Sequence, residues 1–372
     1  MLNKLRFRLT AILLLIIMTA SLALTIARFT GEQGDQSENN KLTLTTLADG
    51  SWFSGAEGYF TEKFSGRRYL VKAKGEFDSR FGESIVNGVY TAPNMLIDSQ
   101  PPVIASAEKT AELINQFSSS GKGTAHIAVI PSSAAVYNDK LPKYLQSMAE
   151  KQQIDDFYMS LNSNIRRIDA YNILKMLNTE YIYYRNDSRW TSYGAYCVYR
   201  TLIQKLGFQP TAYDKYTIEH VTGEFRGDLF ERTQYSRLKA DILDIYTCAD
   251  GAEAICCIGY RNDGTFFETQ LYDERCLASD DMYRLYLSEQ IPLIRVETNV
   301  NNDRKLLVIK DEYANCFIPF LVQHYSEIAV VSPEYLETGL SDLIDPDDYE
   351  QTLFLFGSDG FSDTNGLELI NE

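Results

Sequence analysis

Leu306-Leu307-Val308-Ile309-Lys310-Asp311-Glu312-Tyr313-Ala314-Asn315-Cys316 is the stretch on which the fold turns. Four successive aliphatic side chains leave no polar face, so Leu306–Lys310 reads as a strand covered on both sides. A helix from about Tyr313 to His324 is predicted to follow it. The same kind of run recurs on either side: Ala125–Ile130 (AHIAVI), stopped by Pro131, then Ile328–Val331, then Thr352–Phe356 (TLFLF). Between these runs the period changes. Ala105–Ser120 places Ala107, Ala111, Ile114 and Phe117 at helical spacing and stops before Gly121, and Trp190–Leu206 is a second helix that ends at Gly207. Buried strands alternating with helices predict an α/β fold, with a mostly parallel sheet covered by helices on both faces. From about Thr211 to Asp281 the strands are short and separated by turns (DILDIY, EAICCI, RNDGTFF), which predicts an insertion or β-rich lobe on that core.

Open α/β sheets bind ligands beyond the carboxyl ends of their strands. That rule singles out the loop after Lys310, with Asp311, Glu312 and Tyr313. It also draws attention to Asn186-Asp187-Ser188-Arg189-Trp190, a polar loop that runs into a helix.

Composition narrows the partners. The chain has 372 residues, 35 Lys+Arg against 51 Asp+Glu, and a formal net charge of −16. Phosphate-backbone binding needs a basic surface that releases counterions, so nucleic acid is not expected. Three histidines make a His-rich metal site improbable, no cysteine spacing suits a metal, and no metal or cofactor is expected. The length suffices for one large or two ordinary domains.

The N-terminus reads as a membrane signal. Leu9–Ala27 carries no charge over 19 residues. As a helix it would span roughly 28 Å, against a hydrocarbon core of about 30 Å. Lys4, Arg6 and Arg8 precede it, which predicts a cytoplasmic N-terminus and everything after Ala27 outside the cell. The competing expectation is a cleaved signal peptide, with small residues at Ser21/Ala23 and Thr25/Ala27. Gly31–Lys41 is a polar tether. The predicted organisation is therefore 1–30 tip and anchor, 31–47 tether, and 48–372 ectodomain, with the β-rich insertion at about 211–281. Six cysteines in an exported chain permit disulfides, although buried free thiols are as well supported.

Two blocks carry a resemblance. Tyr183-Tyr184-Arg185-Asn186-Asp187-Ser188-Arg189-Trp190-Thr191-Ser192-Tyr193-Gly194-Ala195-Tyr196 resembles the signature of the bacterial DHHW family, named for Asp-His-His-Trp and similar to SGNH-hydrolase-like alginate O-acetyltransferases. Val308–Leu321 resembles that family's strand, nucleophile loop and helix, where Asp-Ser-Tyr-Ala is expected. Val129–Tyr144, Gly227–Leu229 and Met282–Asn299 agree further. The resemblance implies an SGNH-hydrolase-like, flavodoxin-like fold and acyl transfer or ester cleavage by a Ser-His-Asp triad.

Carried over residue by residue, Asp187 and Trp190 match, the two histidine positions hold Ser188 and Arg189, and the nucleophile position holds Glu312. Ser288-Glu289-Gln290 stands where a Gly-Gly-Asn-like run is expected. Glutamate cannot form the serine acyl ester, and arginine keeps its proton at any working pH. These replacements suit one another, since Arg189 can bridge Asp187 and Glu312 with charge-assisted hydrogen bonds, and Glu312 would sit at a helix N-terminus. The expectation is an inactive member of its family, with a degenerate triad at Asp187, Arg189 and Glu312 and binding residues among Asp187, Ser188, Arg189, Trp190, Asp311, Glu312 and Tyr313. The implied partners are a cell-surface polysaccharide, a membrane-bound acyltransferase and the membrane itself. The alternatives are an active acetyl-ester hydrolase or O-acetyltransferase working through other residues, and an anchored structural protein without a ligand.

Other polar residues have commoner duties. His126, His220 and His324 read as local hydrogen-bonders, and Ser132 and Ser133 as turn or cap residues. The 25 tyrosines would suit a sugar-binding cleft, with Tyr181/Tyr183/Tyr184 and Tyr193/Tyr196/Tyr199 foremost, or would simply cover the core edge.

Overall fold

The structure, a computed structural model, describes residues 84–99, 107–121, 123–288, 290–358 and 366–372. The predicted membrane segment Leu9–Ala27 and the tether lie outside the described residues. Among those described, no helix is long and apolar enough to cross a membrane. The fold that follows is carried by one compact unit, Ser84–Arg232 with Ser236–Glu372.

It opens with a small antiparallel sheet of β1 (Ile85–Val86), β2 (Val89–Thr91) and β3 (Leu96–Asp98). Helix α1 (Ala107–Ser120) leads to β4 (Thr124–Ile130), α2 (Ala149–Ser160), β5 (Arg166–Ile168), α3 (Ala170–Met176) and α4 (Ser192–Lys205). The strands β6 (Tyr216–Phe225), β7 (Asp241–Cys248), β8 (Ala254–Tyr260), β9 (Phe266–Glu268), β10 (Leu293–Thr298), β11 (Lys305–Lys310), β12 (Glu327–Val331) and β13 (Gln351–Gly357) follow. Of the thirteen strands described, eight form the main sheet, in the order β5-β4-β13-β11-β12-β10-β8-β9. The first five run parallel, and β10, β8 and β9 extend the sheet antiparallel.

This is a mixed α/β fold with a large, mostly parallel sheet, consistent with an SGNH-like fold. Numbered by chain position, the five parallel strands lie 2-1-5-3-4, which departs from the flavodoxin order 2-1-3-4-5. The cause is β13, whose seven residues are all buried and which therefore takes the sheet centre between β4 and β11. Side-chain alternation sorts the core into two layers. Ala125, Ile127 and Val129 of β4, with Leu307 and Ile309 of β11, pack under α1 and α2, while Ala128, Ile130, Leu306 and Val308 pack against α4 on the other face.

Two expectations change. The β-rich stretch is not one lobe: β6 and β7 pair as a separate ribbon, whereas β8 and β9 join the main sheet through β10. Nor does a helix run from Tyr313 to His324. The chain makes a 3-10 turn at Glu312–Ala314 and a single helical turn at Ile318–Leu321. Pro319 has no N–H to give, and the Tyr313 carbonyl that would accept from Phe317 is taken by the Trp190 indole at 2.6 Å. Phe317 N bonds Ala314 O instead, at 2.9 Å.

Candidate functional site

The loop Tyr183–Trp190 is a short hairpin closed by a bridge between its two ends. Buried Asp241 pins it by accepting the backbone N–H groups of Arg185 (2.9 Å) and Asn186 (2.8 Å). At its tip Asp187 is wholly buried. Its Oδ1 accepts Arg189 N (2.9 Å) and Nε (2.8 Å), and its Oδ2 accepts Arg189 Nη2 (2.7 Å) and Asp228 N (3.3 Å). This two-pronged guanidinium fork is the strong form of an ion pair. Burial alone would raise the Asp187 pKa, but the Arg189 charge and hydrogen bonds overcome it and hold the carboxyl below its usual range. Burial likewise opposes the Arg189 charge, and Asp187 reverses that, raising the Arg189 pKa well above its ordinary value.

The third member arrives from β11. Arg189 Nη1 reaches Glu312 Oε2 at 3.0 Å, so one guanidinium bridges both carboxylates. Its Cζ lies 3.7 Å from the centroid of the buried Tyr283 ring, a cation–π contact. Asp311 caps the turn, accepting Tyr313 N (3.0 Å) and, from the end of β13, Gly357 N (2.7 Å). A Cβ at Gly357 would sit 2.4 Å from the Tyr313 ring. Glu312 does not head a helix as expected. A three-residue 3-10 turn has too few aligned peptides for a macrodipole, so Arg189 is its main electrostatic partner.

Ser188, Arg189, Asp311, Glu312 and Tyr313 line one cleft of about 470 Å³. Trp190 does not: it is fully buried, bonded to the Tyr313 carbonyl and stacked 6.2 Å from Phe317, so its place is structural. Seven carboxylates and two arginines line the cleft, the other carboxylates being Asp228, Glu231, Asp280, Asp281 and Glu334. None of the three histidines is among the lining residues. His126 bonds the Thr124 carbonyl, His220 pairs with Asp244, and His324 bonds the Tyr199 hydroxyl at 2.6 Å. Among the described residues, no group of three or more His, Cys, Asp or Glu could hold a metal ion.

Asp228, which only the resemblance at Gly227–Leu229 pointed toward, is the main addition. Its Oδ1 accepts Ser188 N at 2.8 Å. Burial first, and Asp187 second, push its pKa up to about 7. Tyr283 lies in the matched stretch Met282–Asn299, but its contact with Arg189 exists only because the fold brings the two together.

Ser132 caps the helical turn at Ser133–Val136 by accepting Ala135 N and donates to Glu150 Oε2 at 2.5 Å. Most of the noted tyrosines are core: Tyr183, Tyr184, Tyr196 and Tyr199 are buried, and Tyr196 and Tyr199 both pack on Phe320. Cys257 and Cys316 are buried thiols, with burial raising their pKa values to about 11 and about 12.

The family described as DHHW protein matches residues 74–331. The chain is similar in structure to a DHHW family protein from Eubacterium siraeum, at 21% identity and a TM-score of 0.67, covering 77% of this chain and 96% of that one. It is also similar to PatB1 of Bacillus cereus, at 21% identity and a TM-score of 0.62, covering 74% of this chain and 97% of that one. A second PatB1 structure, with a sulfonyl adduct, matches at 19% identity and a TM-score of 0.62, over 74% of this chain and 96% of that one. At these identities the likeness establishes a shared fold. No curated protein matches the chain.

Proposed function

Since the chain belongs to the DHHW family, we propose that it is a catalytically inactive member that binds cell-surface polysaccharide as the accessory of a membrane-bound acyltransferase. The observation that carries this reading is the bridge from Arg189 to Asp187 and Glu312. Arg189 stands where the family pattern expects a histidine, and a guanidinium held by two carboxylates can neither take a proton from a nucleophile nor return one to a leaving group. Glu312 stands where serine is expected. It cannot form the serine acyl ester, and its charge opposes a developing oxyanion. What remains is an open cleft suited to binding. The basic residues ahead of Leu9–Ala27 support an anchored chain facing outward; protease added to intact cells should then cut it while a cytoplasmic control survives.

One observation favours the alternative of ester turnover through other residues. Asp228, with a pKa near 7, lies beside Ser188 in the same cleft and could serve as a base.

The deciding experiment measures 4-nitrophenyl acetate hydrolysis by the purified protein against a buffer blank, with Glu312→Ala and Asp228→Asn alongside, and polysaccharide binding on the same samples. Binding with no rate above the blank supports the proposal. A rate abolished by Asp228→Asn replaces it with the serine–aspartate alternative, and a rate abolished by Glu312→Ala overturns the reading of Glu312. Neither rate nor binding overturns the binding role.

A further inference from the structure

Large apolar side chains left in water call for a partner when they gather rather than scatter. Three of the exposed ones, Tyr144 (68%), Met148 (58%) and Met176 (85%), gather around the 3-10 turn Asn138–Lys140. Leu141 and Leu145 take the inward places of the loop that follows this turn, which leaves Lys143 and Tyr144 pointing out. Asn138 ties that loop to α2: its Nδ2 donates to Met148 Sδ at 3.6 Å, and its Oδ1 accepts Ser147 N at 2.8 Å. The end of α3 is tied to the same turn. Lys140 Nζ donates to the Asn178 carbonyl, two residues past Met176, and Lys175 Nζ reaches back to Asp139 Oδ1 (2.5 Å) and the Val136 carbonyl (2.9 Å). The three apolar side chains thus share one patch.

Two observations say what covers it. The first is charge. Lys175 is spent on Asp139, which leaves the exposed Lys140 and Lys143 against Glu180 alone, a basic spot on a chain of net charge −16. An anionic bilayer repels such a chain everywhere except at a local cationic patch, so its own charge turns this face to the lipid. The second is position. The Tyr144 hydroxyl and Ser84 Oγ share a hydrogen bond at 3.2 Å, and Ser84 is where the chain enters the described unit. The patch therefore lies at the point from which the chain leads back to the predicted anchor Leu9–Ala27. A unit held on an anchor meets the lipid surface at high effective concentration, so a modest patch suffices. Tyrosine and lysine are the side chains suited to that boundary, one with an apolar ring and a polar tip, the other with an apolar stem and a charged head.

We propose that this patch is the face the protein lays on an anionic lipid bilayer, with Tyr144, Met148 and Met176 entering the headgroup layer and Lys140 and Lys143 meeting lipid phosphates. The inference rests on the anchored chain proposed above and adds which face of the folded unit meets the membrane.

The methionines are their own reporters. The full chain, labelled with ¹³C at its methionine methyls, is placed in nanodiscs of mixed phosphatidylglycerol and phosphatidylcholine, or of phosphatidylcholine alone, each with a trace of headgroup spin-labelled lipid that broadens nearby methyl signals. Met18 lies within Leu9–Ala27 and reports the anchor. Met159 is 77% exposed near the far end of α2, about 16 Å along the helix from Met148, and is the control. In the mixed bilayer Met18, Met148 and Met176 should lose signal while Met159 keeps it, and in phosphatidylcholine alone only Met18 should. Lys143→Glu replaces a cation worth about fivefold in surface affinity with an anion, and should restore Met148 and Met176 without moving the thermal midpoint. Loss at Met18 with Met148 and Met176 no weaker than Met159 overturns the lipid-facing patch while the anchor stands, and leaves another protein as its cover. Equal loss at Met148 and Met176 in the two bilayers overturns the role of the lysines. An unaffected Met18 overturns the anchor, and the inference with it.

Discussion

Arg189 makes three side-chain contacts with carboxylates, and they are not equal. Toward Asp187 it offers two nitrogens to a carboxylate with no exposure, whereas Glu312 is 48% exposed and shares its charge with water. Truncating one partner of a buried pair strands the other, at about 3–5 kcal/mol, whereas exposed pairs contribute about 0–1 kcal/mol. Arg189→Ala should therefore lower unfolding stability by about 3–5 kcal/mol in urea, and Glu312→Ala by less than about 1 kcal/mol. Equal, small losses would mean that Asp187 is satisfied by its backbone donors alone. At this scale the sequence was informative wherever residues sit in one motif: the relation of Asp187, Ser188 and Arg189 can be read from their adjacency. That Arg189 bridges to Glu312 was reached through charge complementarity. The partners Asp228 and Tyr283 needed the fold, because nothing local marks an aspartate that will share a burial site with Asp187.

Elements place these side chains through close approaches that tolerate no extra atom. Gly227 precedes the helical turn beginning at Asp228, and a Cβ there would lie 1.8 Å from Asp187 Oδ2. Gly227→Ala forces the carboxylate off the arginine fork or the turn off its seat. It should lower the thermal midpoint, with a loss of about 1–3 kcal/mol as for other overpacked sites. An unchanged midpoint would show that the turn shifts freely. Strands were legible because buried runs such as Thr352–Phe356 have no other way to hide. Helix α4 was legible because Gly207, at φ +92°, ends it as expected. The segment after Glu312 misled for a physical reason: its apolar spacing suits a helix, but Pro319 and the Trp190–Tyr313 bond remove the hydrogen bonds that a continuous helix requires.

Over the whole molecule, the acidic surface makes pH a sensitive probe, and Asp228 gives it a direction. An aspartate whose pKa rises from 3.8 to about 7 on folding binds its proton more tightly in the native state. Its contribution to stability is fully present below pH 3.8 and is lost as pH rises through about 7. Asp228→Asn keeps an acceptor for Ser188 N and removes that titration. The variant should gain stability over the wild type progressively from about pH 4 to pH 7, as read from urea midpoints across the range. A constant difference between the two would sink the assignment. At this scale the α/β class and the position of the cleft at the carboxyl ends of β11 and β13 were legible, but strand order was not, because periodicity says that a strand is buried without saying between which neighbours. That order has a consequence for how the chain is made. Strand β13 is synthesised after β11 and β12 yet is the piece that joins them to β4. Until β13 has emerged and paired, the two halves of the sheet have no shared edge, so the sheet cannot close strand by strand as the chain is made and waits for its last strand.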